Sequence, residues 1–136
     1  MILETCFLAL LAELHCLANQ PALGLSVIDE AMKMEEEAEE YIFHAELHRL
    51  AGELSLLQGA DSEEAEEWFR EALVVARDSE VRLFELRAAV SLGRLLTREG
   101  RPDEARRILR ETYDWFTEGF DTADLRAAKA LLDELR

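Results

Sequence analysis

Proline and cysteine each occur twice in 136 residues and glycine six times, and each scarcity closes off a class of structure. So few turn formers leave little chain for loops, and a strand-rich domain would want more valine, threonine and turn residues than appear. Cys6 and Cys16 are too few for a disulfide framework. On one helix they stand ten residues, or about 15 Å, apart along the axis, beyond the reach of a bridge. A reducing cytoplasm is the natural compartment. Basic residues are also short: 15 against 30 acidic ones, for a net charge of −15. Affinity for phosphate backbones and for anionic membrane surfaces comes from lysine and arginine, so neither nucleic acid nor membrane is an expected partner.

Long apolar runs are missing too. The segment from Cys6 to Ala12 is shorter than the ~20 residues a membrane span needs. No lysine or arginine precedes it and Glu4 and Glu13 flank it, which argues against a cleaved leader. What remains is 49% hydrophobic and 33% charged, enough to bury a core in one domain spanning 1–136.

Apolar residues recur at three- and four-residue steps almost throughout, as in Leu47, Leu50, Ala51, Leu54 and Leu57. This is the periodicity of helices with one buried face. Breakers punctuate it. Asn19, Gly59 and Gly100 stand 40 and 41 residues apart, and both residue types tolerate the left-handed conformation that closes a helix. Pro21 and Pro102 follow two residues after the first and last of these, where proline suits an opening turn. Asp61 with Glu64 has the form of a capping box.

The same spacing governs positions inside the helices. Ala12, Gly52 and Gly93 form one series; Gly24, Ala65 and Ala105 a second; Ile28, Phe69 and Leu109 a third; Ala31, Ala72 and Thr112 a fourth. Small residues let two helix backbones approach while the bulky one fills the neighbouring groove. The pattern predicts helices over 2–18, 21–38, 40–58, 62–78, 80–99 and 102–117. A last helix over 123–135 is capped by Asp121 or Thr122. The expected fold is all-α: three helical hairpins (2–38, 40–78 and 80–117) and a capping helix that covers the final apolar face. The first helix is apolar nearly all round. That surplus predicts either a piece of a longer solenoid or a homodimer through the N-terminal helix.

Leu92-Gly93 on one helix and Ala65-Glu66-Glu67-Trp68-Phe69-Arg70-Glu71-Ala72 on a partner resemble the tetratricopeptide repeat, a helix-turn-helix unit stacked into a right-handed superhelix. The usual period is about 34, so each unit here is roughly six residues longer. By period alone a HEAT-like array is the rival; the small-residue spacing favours the tetratricopeptide pattern. Ala45-Glu46-Leu47-His48-Arg49-Leu50-Ala51-Gly52-Glu53-Leu54 and the tail from Trp115 to Thr122, leading to Lys129–Leu135, are similar to something narrower. They resemble the C-terminal tetratricopeptide region of large bacterial signalling proteins: ATPases, adenylate cyclases and transcriptional activators. Members often have proline where Ala123 stands. The resemblance implies a non-catalytic interaction module of a signalling or regulatory protein, binding a protein, a peptide or the upstream domains of its parent on a concave face. The alternative role is structural, oligomerisation through apolar solenoid ends. Nucleotide chemistry in that family belongs to upstream domains, and no Gly-x-x-x-x-Gly-Lys loop occurs here.

No enzymatic constellation assembles from the remaining residues, and no cofactor is expected. His44 and His48 lie four apart with Glu46 between, but the order His-x-Glu-x-His is not the zinc-protease one, and no third ligand is evident. His15 beside Cys16 does not face it on a helix. Trp68 and Trp115 read as packing anchors. The acidic runs 35–40 and 63–67 read as solvated faces and helix starts. The repeat's register places Glu13, Glu46, Arg49, Glu53, Arg87, Arg94 and Arg98 on the inner surface. Arg49, Glu53, Arg87, Arg94 and Arg98 are the candidate partner-binding residues. Arg94 and Arg98, four apart, can converge on one carboxylate or phosphate. The competing reading is that the arginines pair internally with Glu46 and Glu53.

Overall fold

The computed structural model describes residues 2–135. Within them the chain forms seven α-helices and no strand: α1 (Ile2–Leu17), α2 (Pro21–Ala38), α3 (His44–Leu57), α4 (Ser62–Ser79), α5 (Arg82–Arg98), α6 (Pro102–Tyr113) and α7 (Ala123–Glu134). The all-α expectation holds.

Helix ends follow a rhythm half as long as the repeat. Left-handed residues fall at Asn19, Glu39, Gly59, Glu80 and Gly100, steps of 20 or 21. At each, the next residue's amide reaches back five positions to a helix carbonyl. Gln20 bonds to His15, Glu40 to Glu35, Ala60 to Ser55, Val81 to Ala76 and Arg101 to Leu96. This closure satisfies carbonyls that the helix leaves open. At the far side of one such turn, the Asp61 side chain accepts from the Glu64 amide as the α4 N-cap.

Two boundaries differ from expectation by four residues and others by one or two, among them the start of the fifth helix at Arg82 rather than residue 80, since Glu80 is left-handed. The third helix starts at His44 rather than residue 40, because Glu39 is left-handed and Tyr41–Phe43 make a further turn. The sixth ends at Tyr113 rather than 117. Trp115 and Phe116, whose apolar character suggested more helix, lie in the connection to α7, where Phe116 packs on the core. Thr122 is the α7 N-cap residue, but its hydroxyl donates to the Gly119 carbonyl instead of capping the helix, and Asp121 is exposed.

Consecutive helices pack as neighbours from α1 to α7. The odd-numbered helices form a layer of their own: Cα atoms of α1 and α3, α3 and α5, and α5 and α7 approach within 8 Å. No such approach joins α2 to α4 or α4 to α6. The gap between α4 and α6, with its N-cap Arg101, is spanned instead by ion pairs between long side chains, Arg70–Glu104 at 2.6 Å, Arg101–Glu66 at 2.8 Å and Arg77–Glu111 at 3.3 Å.

Two apolar clusters run through the stack. One joins α1, α2 and α3 around Ala12, Ile28, Leu47, Leu50 and Leu54. The other joins α4 to α7 around Phe69, Leu86, Leu92 and Leu109. Small residues set the hairpin spacing. A Cβ on Gly52 would stand 2.6 Å from Phe69 Cε1, and one on Gly93 would stand 3.0 Å from Leu109 Cδ1. These contacts join the small and bulky members of the sequence series.

Candidate functional site

Within the odd layer, α1, α3 and α5 each present one residue at equivalent positions of the 40–41 period. Cys6, Glu46 and Arg87 form one row; Glu13, Glu53 and Arg94 the next. Three cavities follow these rows. The first, about 110 Å³, is mostly apolar, lined by Cys6, Ala9, Leu10, Phe43 and Phe84 with Glu13, Glu46 and Arg87 at its edge. The second, about 280 Å³, shares Glu13 and Arg87 with it and adds Arg49, Ser91, Arg94 and Asp124. The third, about 300 Å³, shares Arg94 with the second and adds Glu53, Thr97, Arg98, Leu131 and Glu134. Together they make a groove that is apolar at one end and charged at the other.

Glu46 organises its middle. Its carboxylate is buried, accepting from Arg49 Nε at 2.6 Å and from Arg87 Nη1 at 2.7 Å. Burial opposes its charge, but the two guanidinium groups outweigh that and hold its pKa below the ordinary 4.5. Burial likewise works against the Arg49 charge, and Glu46 more than restores it. Arg49 also donates to Ser91 Oγ at 3.5 Å, and Arg87 extends to Asp124 on α7 at 3.2 Å. Internal pairing thus accounts for Arg49 and Arg87. Its acceptors are Glu46 and Asp124; Glu53 receives no ion pair among the described residues.

Arg94 and Arg98 are different. Both are exposed, both line the third cavity, and neither makes an ion pair among the described residues. The structure therefore brings the five candidate residues onto one groove and divides them into two paired and two open arginines, with Glu53 beside the open ones. Sequence reasoning missed Asp124, Ser91, Leu131 and Glu134. Ser91 stands one period after Leu50 and was concealed by an apolar register position; the other three belong to α7, which lies outside the repeat.

The histidines take structural partners. His44 Nδ1 meets Glu35 Oε1 at 2.8 Å, and His48 Nδ1 donates to the His44 carbonyl at 2.9 Å. The His48 ring packs on Trp68, and burial pushes its pKa below the ordinary 6.5. Glu35 is buried, and its Oε2 has no hydrogen-bond partner. No three His, Cys, Asp or Glu side chains among the described residues are grouped to hold a metal ion. His15 bonds to Gln20, and burial raises the pKa of the Cys16 thiol. Trp68 packs on the core as expected. Trp115 does not: it is exposed, with the Arg82 guanidinium 4.8 Å over its ring. No helix among the described residues is long and apolar enough to cross a membrane.

Comparison with protein-family models finds no match, and no curated protein or solved structure matches significantly.

Proposed function

We propose that this chain is a tetratricopeptide-like superhelical module that binds a protein or peptide along the groove of its odd helices and performs no chemistry of its own. The repeat period, the hairpin order and the closer approach of the odd helices support a curved stack with those helices on the concave side. The single observation behind the binding role is that Arg94 and Arg98, at the charged end of a groove whose other arginines are neutralised, make no ion pair among the described residues. Guanidinium forks four residues apart suit an acidic side chain or a chain-terminal carboxylate. In keeping with the resemblance in its sequence, the module belongs to a cytoplasmic bacterial signalling or regulatory protein. Its ligand is either a separate protein or an upstream domain of the parent.

Titration with fluorescently labelled acidic peptides tests this directly. Binding is expected in the wild type and lost in Arg94→Glu and Arg98→Glu, with helicity unchanged by circular dichroism. Equal binding by both variants removes the site. The apolar outer face of α1 favours a second role beside it, assembly through that end.

A further inference from the structure

Leu3, Phe7, Leu10, Leu14 and Leu17 advance along α1 in steps of four and three, the spacing of a coiled-coil seam. All are exposed, at 84%, 66%, 55%, 61% and 79%. The repeat shows what this face is for. One period later, the positions of Phe7, Leu10 and Leu14 are Leu47, Leu50 and Leu54 of α3, exposed by 0%, 1% and 0%. Two periods later they are Ala88, Ser91 and Leu95 of α5, at 0%, 3% and 2%. In α3 the face is covered by the preceding hairpin, with Leu54 seated against Gly24 of α2. The fold therefore uses this register to receive a helix, and in α1 it faces solvent.

We infer that two copies of this chain pair through α1, stripe against stripe across a two-fold axis. This rests on the assembly role; the seam shares Leu10 with the apolar end of the groove and none of its residues with the cavity that holds Arg94 and Arg98. From their exposed fractions, the five side chains of the stripe leave on the order of 700 Å² accessible per copy, above the roughly 300–600 Å² patch of an ordinary monomer. It is close to the roughly 800 Å² that each partner gives to a specific interface. A seam of one uniform spacing is complementary to itself, as a two-fold contact requires. The opposite end of the stack offers no alternative seat. There α7 turns Leu125, Ala128, Leu131 and Leu132 inward and leaves Arg126, Lys129 and Asp133 outside, so copies cannot add head to tail by apolar contact.

An antiparallel pairing centred on Leu10 brings the protruding Leu17 of one copy to the N-terminal end of the other α1. A cavity of about 360 Å³ lies there, lined by Leu3, Phe7, Leu8 and Met34 with Glu4 and Glu30 at its rim. Glu4, Glu13 and Glu30 border the stripe, so pairing sets acid beside acid and salt should strengthen it.

Sedimentation equilibrium of the full chain, from micromolar to near-millimolar and at low and high salt, tests the pairing. A dimer is expected, tighter at high salt. The double variant Leu10→Glu, Leu14→Glu should weaken it by roughly 100-fold while circular dichroism stays helical. Leu17→Glu, at the exposed helix end, reads the same contact if the double variant loses helicity. In a Cys6→Ser, Cys16→Ser background, Leu10→Cys should cross-link to itself on oxidation. A wild-type chain that stays monomeric in high salt overturns the inference and leaves the face to a helix of another protein or of a longer parent chain. A dimer indifferent to all these substitutions overturns it equally. Neither result bears on peptide binding at Arg94, which the groove variants read separately.

Discussion

Arg87 of α5 donates to Glu46 of α3 across the odd layer at 2.7 Å, and the same carboxylate anchors Arg49 on its own helix. One buried charge thereby joins two hairpins and satisfies a guanidinium that is itself largely out of water. Removing a single partner from such a cluster costs more than the cluster contributes, because the remaining charge stays buried and unpaired. Glu46→Ala should therefore destabilise the fold by about 3 kcal/mol in urea unfolding. Arg87→Ala should cost less, since Arg87 is more exposed than Arg49 and leaves Glu46 its Arg49 partner.

The Glu46 carboxyl also sets a pH dependence. Its pKa is lower in the folded chain than the 4.5 of an unperturbed glutamate, so the folded state holds the proton less tightly than the unfolded one. The contribution is fully present above pH 4.5 and is lost as pH falls through the folded value. Urea midpoints measured from about pH 6 down to pH 3 should fall, and the Glu46→Gln variant should show a shallower fall over the same range.

Gly52 and Gly93 occupy equivalent places but face different neighbours. An added methyl at Gly52 meets the Phe69 ring at 2.6 Å; at Gly93 it meets the end of the more adaptable Leu109 at 3.0 Å. Gly52→Ala should destabilise by about 2 kcal/mol, the cost of overpacking a rigid site. Gly93→Ala should cost less, since alanine also favours helix. Thermal unfolding of both variants orders them.

Glu39 and Glu80 close α2 and α4 in the left-handed region, with φ of 54° and 58°. A side chain with a Cβ is strained there by about 1 kcal/mol, and glycine is not. Glu80→Gly should raise stability by up to about 1 kcal/mol, offset partly by the greater freedom of glycine in the unfolded chain. A lower melting temperature would mean that Glu80 makes a contact outweighing its strain.

The seven helices and their order along the chain were legible because they depend on local chemistry. Apolar spacing of three and four, prolines at helix starts and small residues every 40 or 41 positions act within a turn or between sequence neighbours. Glu39 and Glu80 escaped notice because glutamate carries no turn signature. Only the half-period between Asn19, Gly59 and Gly100 marked their places. The overextended sixth helix has a similar cause: Trp115 and Phe116 fit a helical pattern, yet the chain uses them to turn toward α7.

Local patterning along the chain is enough to specify helices, a recurrence every 40 or 41 residues, and which arginines share a register on the odd-numbered helices. Which of those arginines lack an ion pair among the described residues follows only from how the helices pack. Pairing depends on how far α3, α5 and α7 stand from one another, and that distance is set by packing in the core. Glu46 reaches Arg87 and Asp124 reaches it from the other side, while Glu53, one turn or two further on, engages neither Arg94 nor Arg98. A register fixes which face a charge lies on; only the spacing between helices determines whether an opposite charge comes within reach.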